Sequence, residues 1–176
     1  TGTHVATATA AVVWMAIDWL FNKKPTTVGA CTGAVAGLVA ITPAAGSTGL
    51  LGAFCIGLIT PIICFFMVAV VKQKFKYDDA LDAFGVHGIG GIVGSILTGV
   101  FATQFVTGDG GAEGALYGDW HQLWVQVVAT LVSVAFSAVV TFILYKIVDR
   151  LVGIRVDKRV EEEGLDIYEH GESAYN

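Results

Sequence analysis

The sequence predicts an all-α polytopic membrane protein with five transmembrane helices and a short polar tail. Three observations carry that expectation. The 176 residues are 55% hydrophobic and only 14% charged, with a mean hydropathy of +0.69, whereas a soluble domain carries about 25% charged residues. The charges are confined to short patches separating five uncharged or nearly uncharged runs, about 5–22, 28–46, 48–71, 84–106 and 122–145. Each run is near the roughly 20 residues that cross a bilayer as a helix, and a soluble bundle of such helices would have no polar face to turn to water. Finally, all ten basic residues follow the first, third and fifth runs: Lys23 and Lys24; Lys72, Lys74 and Lys76; Lys146, Arg150, Arg155, Lys158 and Arg159. Alternate connections thus hold every positive charge, which places the start of the chain outside and its end in the cytoplasm.

Taken in order, the spans are expected at about 3–22, 27–45, 48–73, 83–106 and 120–152, forming a membrane region 1–152 ahead of a cytoplasmic tail 153–176. The first run begins almost at the first residue, in "TGTHVATATAAVVWM", with no initiator Met, basic n-region or cleavage-site pattern. The chain is therefore expected to be the C-terminal part of a longer protein. Asp18 lies near the end of that run and is expected to snorkel or to bond a neighbour. In the second run, "GACTGAVAG" puts Gly29, Gly33 and Gly37 four residues apart on one face, a pattern that lets helix backbones approach closely in lipid. Pro43 should end that helix, and Pro61 should kink the third. The fourth run repeats the small-residue pattern with Gly90 and Gly94. A Gly-rich outer loop, "TGDGGAEGALYGD", leads to the fifth run, whose length demands tilt or projection into the cytoplasm.

Chemistry is sparse. Cys31, Cys55 and Cys64 all lie in apolar runs without metal-ligand spacing, and the acids of the outer loop do not follow calcium-loop spacing. No metal, cofactor, nucleic-acid partner or enzymatic activity is expected. What stands out is His87, the one titratable side chain in "AFGVHGIGGIVGSILTGVF". On a helix it shares a face with Ala83, Phe84, Gly90, Gly91, Gly94 and Ser95, a surface small enough for a close helix or a narrow space beside the ring. The residues alone leave two readings open: a packed histidine bonded to a neighbouring helix, or a functional intramembrane group. Upstream, Asp78, Asp79 and Asp82 mark the helix start. Asp82 is the expected N-cap, and all three acids suit the positive end of the macrodipole.

"DDALDAFGVHGIGGIVGSILTGVFA", "GACTGAVAGLVAITPAAG" and the tail "EEEGLDIYEHGESAYN" resemble the ammonium transporter family (Amt/Mep/Rh), in particular its microbial Amt branch, in the expected order over essentially the whole chain. The resemblance implies the last five spans of a fold of about eleven helices built as an inverted repeat. It implies assembly as a homotrimer in the cell membrane, with a separate pore in each subunit for ammonium or ammonia. His87 matches the second of two adjacent pore histidines that bind the substrate and relay its proton. Asp82 matches an acid near the cytoplasmic start of that helix. The tail, with Gly164, Leu165, Asp166 and Tyr168, matches a regulatory segment that packs under the trimer, couples subunits and meets a PII-type signalling protein. The partner histidine and the gate aromatics would belong to an earlier half, so this chain alone would not enclose a pore. Two other function classes remain: an ammonium sensor, which normally needs an appended signalling domain, and a non-transporting membrane scaffold. In the tail itself, Leu165, Ile167 and Tyr168 stand among charges as apolar anchors, and Gly164 is the expected turn.

Overall fold

The computed structural model describes residues 1–173; residues 174–176, the end of the expected tail, lie outside the described residues. Its chain falls into two compact units, 1–131 and 132–176. Five long helices account for most of it: α1 Gly2–Asn22, α2 Thr27–Ile41, α3 Leu50–Phe75, α4 Phe84–Phe101 and α5 Trp120–Val152. Four of these are long and apolar enough to cross a membrane, while α2 has only 15 residues.

The short α2 has a local cause. Pro43 has no amide to continue the ladder, and Thr42 closes α2 with a bond from its N–H to the Val39 carbonyl and from its hydroxyl to Leu38 O. Successive turns then carry the chain to Thr48 through Ala44 N–H to Ile41 O and Ser47 N–H to Ala44 O. Ala44 is fully buried, so the turn fills the depth that a longer helix would have taken. Helix α4 also stops earlier than expected, at Phe101, because the following backbone is drawn elsewhere. Thr103 N–H bonds Ser47 O at 2.8 Å, and Ala102 O accepts from Gly114 N–H at 2.8 Å. Pro61 lies inside α3 and is fully buried, and the helix runs through it.

In the first unit α1 packs against α2 and α3, and both of these also meet α4. The buried face of α1 is Ala6, Ala10, Trp14 and Asp18, every fourth residue. It meets Gly37, Gly33 and Gly29 of α2 in antiparallel register. A Cβ at Gly37 would lie 2.7 Å from Ala10 Cβ, one at Gly33 would lie 2.8 Å from Ala10 O, and one at Gly29 would strike the Asp18 carboxylate. Elsewhere, a Cβ at Gly94 would collide with the Ala40 backbone, one at Gly57 with the Ala6 backbone, and one at Gly99 would lie 2.9 Å from Leu123 Cα. Gly90 differs from these: its nearest prospective neighbours, Val39 and Cys64, lie at 3.4 and 3.5 Å, ordinary van der Waals contact. Two apolar clusters complete the core, one around Ala6, Ala40 and Ile56, the other around Trp14, Ala36, Cys64 and Phe65.

Gly33→Leu is expected to destabilise the first unit by about 1–3 kcal/mol, the usual range for overpacking. Gly46→Ala, where nothing lies within 4 Å of the new Cβ, should change stability by less than about 0.5 kcal/mol. Thermal unfolding of the two variants in detergent measures the contrast.

Candidate functional site

His87 sits in the first turn of α4, and that turn is a π-helix over Phe84–Gly88. The backbone N–H of Ile89 reaches back to Phe84 O, so the turn holds an extra residue. Turns of this kind appear in α-helices frequently at functional sites. Gly85 and Val86 point into the protein, while the imidazole of His87 is exposed on the other side of the turn. It lies between two open grooves. One, about 370 Å³, is lined by Thr27, Val28, Cys31, Thr32 and Val35 of α2 with Leu81 and Val86. The other, about 440 Å³, is lined by Val39, Thr42 and Pro43 with Gly91 and Ser95. Among the described residues no hydrogen bond or ion pair reaches the imidazole, so the packed-histidine reading finds no partner among them.

The two grooves also give the depth of His87. Its level on α2 falls between Val35 and Val39, past the middle of that helix, and Val86 O lies 3.9 Å from Cys64 Sγ within α3. A histidine only four residues into its own helix is therefore level with the interior of its neighbours. The non-helical segment ahead of α4 rises beside the groove, as irregular backbone in a membrane does only where protein or a cavity adjoins it.

That segment is fastened by its acids, though not as the sequence suggested. Asp82, the expected N-cap, contributes only its backbone: its carbonyl accepts from Val86 N–H at 2.9 Å. Its side chain turns to Lys72, with Oδ1 2.6 Å from Nζ. The capping carboxylate is Asp79, whose Oδ2 accepts from Phe84 N–H at 3.1 Å and Gly85 N–H at 3.3 Å. Asp82 adopts left-handed backbone (φ 56°), which Asp tolerates better than most residues, and this aims its carboxylate back across the loop. A buried acid, Asp18, ties α1 to α2. It accepts from Thr26 Oγ1 at 2.8 Å and Asn22 Nδ2 at 2.9 Å, while the Thr26 hydroxyl caps α2 at Gly29 N–H.

In the second unit, α6 (Lys158–Glu163) is followed by Gly164 at φ 109° and a π-turn Asp166–His170. Arg155 grips Glu161 at 2.6 and 3.0 Å, and Glu163 accepts from Arg159 at 2.7 Å and from Tyr168 OH at 2.6 Å. Leu165, Ile167 and Tyr168 are exposed on the tail, and Asp166 O accepts from Glu172 N–H at 3.0 Å.

The chain as a whole is recognisable. Residues 1–175 match the sequence profile of the Ammonium Transporter Family. The chain belongs to this family. It is similar to an ammonium transporter of Aquifex aeolicus, 51% identical over 99% of this chain and 40% of that protein. It is likewise similar to one of Bacillus subtilis, at 48% over 98% of this chain and 43% of that protein. Among solved structures it is similar to Saccharomyces cerevisiae Mep2, with TM-score 0.82, 34% identity and coverage of 90% of this chain and 36% of that one. A structure named Sensor Amt Protein gives TM-score 0.82 at 27% identity, covering 96% of this chain and 40% of that one. The chain thus spans about two-fifths of the length of the relatives it matches. Family and apolar helices together make it a membrane protein with the family's multi-helix fold.

The tail contacts have a pH signature. Arg155 holds the Glu161 carboxyl below the usual carboxylate range, and Tyr168 and then Arg159 do the same for Glu163. Carboxyls depressed on folding stabilise above their unfolded value of about 4.3, and that contribution is lost as pH falls through the lower folded values. The Tyr168 phenol is raised by its bond to Glu163, so its contribution is present below about 10 and is lost as pH rises through the higher folded value. Amide exchange of residues 155–170 should therefore be flat from about pH 5 to 9 after correction for intrinsic rates. Protection should fall off on both the acid and the alkaline side of that range.

Proposed function

We propose that this chain supplies one wall of a hydrophobic pore through which ammonium crosses the cell membrane as ammonia, with His87 holding and passing the proton. The observation that carries this is the setting of His87: exposed between two grooves, level with the interior of α2 and α3, and flanked by uncharged side chains. A bare ammonium ion entering such a wall meets a large desolvation cost, whereas neutral ammonia does not. A site that removes the proton therefore separates ammonium from ions of similar size that have none to lose. Imidazole suits the role because its ordinary pKa is near neutrality. On this reading the opposite wall and the partner histidine come from preceding spans of a longer subunit, the start of this chain faces outside, and the tail is cytoplasmic. The segregated lysines and arginines support that orientation.

The glycine faces at Gly29, Gly33, Gly37 and Gly94 hold the wall together, with Gly90 lying beside it. The subunit works as a homotrimer. The tail, through Gly164, Leu165, Asp166 and Tyr168, docks its exposed apolar residues on a neighbouring subunit and offers a surface to a PII-type signalling protein. A second reading, an ammonium sensor, is favoured by the similarity to the solved Sensor Amt Protein. Sensing without conduction would give ammonium binding but no flux in liposomes.

In the full-length protein, His87→Ala should reduce ammonium flux, or its excess over potassium flux, by roughly a hundredfold, the lower end of what a positioned proton-transfer group contributes. Assembly should remain intact, and unchanged selectivity in proteoliposomes would exclude the role. Deleting residues 161–176 should lower transport while the trimer still forms; full activity after the deletion would remove the tail from regulation.

A further inference from the structure

A second π-turn lies opposite the one that holds His87. It spans Met67–Val71 in α3, closed by Lys72 N–H bonding Met67 O. The two turns meet side by side: a Cβ at Gly85 would lie 2.7 Å from Val68 Cγ2. Lys72 directly follows the Met67–Val71 turn, and Asp82 lies two residues ahead of the Phe84–Gly88 turn, with its carbonyl accepting from Val86 N–H inside it. The 2.6 Å ion pair between their side chains therefore joins the end of one π-turn to the segment that leads into the other, and both partners are partly buried, at 26% and 29% side-chain exposure. The loop between them is short and bent, with left-handed backbone at Lys76 and Asp82.

We propose that the Lys72–Asp82 pair is a positioning clasp for His87, holding the facing π-turns in register and so fixing where the imidazole points along the groove. This rests on the reading of His87 as the proton-passing residue. A π-turn and an α-turn differ by about one residue, and one residue corresponds to about 100° of helix rotation. If the turn at Phe84–Gly88 relaxes toward α-helix, the imidazole swings off the groove while the helix beyond it stays packed. The pair prevents this by fixing the point at which α4 begins. Neither residue lines either groove beside His87; both act through His87.

The test uses the full-length protein in proteoliposomes, reading the ratio of ammonium to potassium flux, together with the 15N resonances of the His87 imidazole. Asp82→Asn removes the charge but keeps a residue that accepts left-handed backbone, so it isolates the ion pair. Lys72→Met removes the other charge, and Lys72→Arg restores it. Asp82→Asn and Lys72→Met should each lower the flux ratio about tenfold, within the hundredfold that an ångström of misplacement can cost. Both should shift the imidazole resonances, the double variant should be no worse than either single one, and Lys72→Arg should behave as the parent. Unchanged ratio and resonances in the single variants would overturn the clasp while leaving the pore reading standing, provided His87→Ala still loses selectivity. If His87→Ala is silent, the pore reading falls instead. Failure of both single variants to assemble would also overturn the proposal, since it would make the pair a requirement of folding.

Discussion

The rest of the first unit depends on the backbone contact between α1 and α2. In lipid, apolar side chains gain little from leaving their surroundings, so helices associate through close packing and interhelical hydrogen bonds. Gly29, Gly33 and Gly37 remove the side chains that would keep α2 away from Asp18, Trp14 and Ala10. The polar bond of Asp18 to Thr26 then becomes short enough to form at the same seam. Once α2 is seated, Ala40 presents its backbone to Gly94, which brings in α4, and α4 carries His87. A single added methyl group in the seam would displace the whole sequence of contacts.

Much of this was legible before any coordinates. The uncharged runs marked the helices, because a charge inside the hydrocarbon layer is expensive, and the four-residue glycine spacing of α2 marked the seam. The isolation of His87 in an apolar span singled it out. Element ends were less legible. Pro43 announces the end of α2 at Ile41, but α4 stops at Phe101 because of backbone bonds between distant segments, Ser47 with Thr103 and Ala102 with Gly114, that no local pattern announces.

The acids show the same limit at the site itself. Asp79 and Asp82 are three residues apart and equally plausible as caps. Which one turns to the helix and which to Lys72 is decided by the left-handed backbone of Asp82, a property of the closed loop. The π-turns left no trace either, since an extra residue in a turn alters register without altering composition. Gly57 and Gly99 also make tight contacts, against Ala6 and Leu123, that the sequence analysis did not single out.

The groove wall is also tied at both of its ends. At one end Thr48 bridges to Ala102 and Ser47 bonds Thr103; at the other, Asp18 bonds Thr26, and Asp79 and Lys72 secure the start of α4. Transporters that expose a site alternately to each side rock one bundle of helices against another, which requires a joint somewhere along the moving face. Within this wall, α2 and α4 have no free end to act as one. On the proposed reading of this wall as one side of a pore, such a construction suits a static aperture, in which passage is governed by what the lining admits rather than by a cycle of opening and closing.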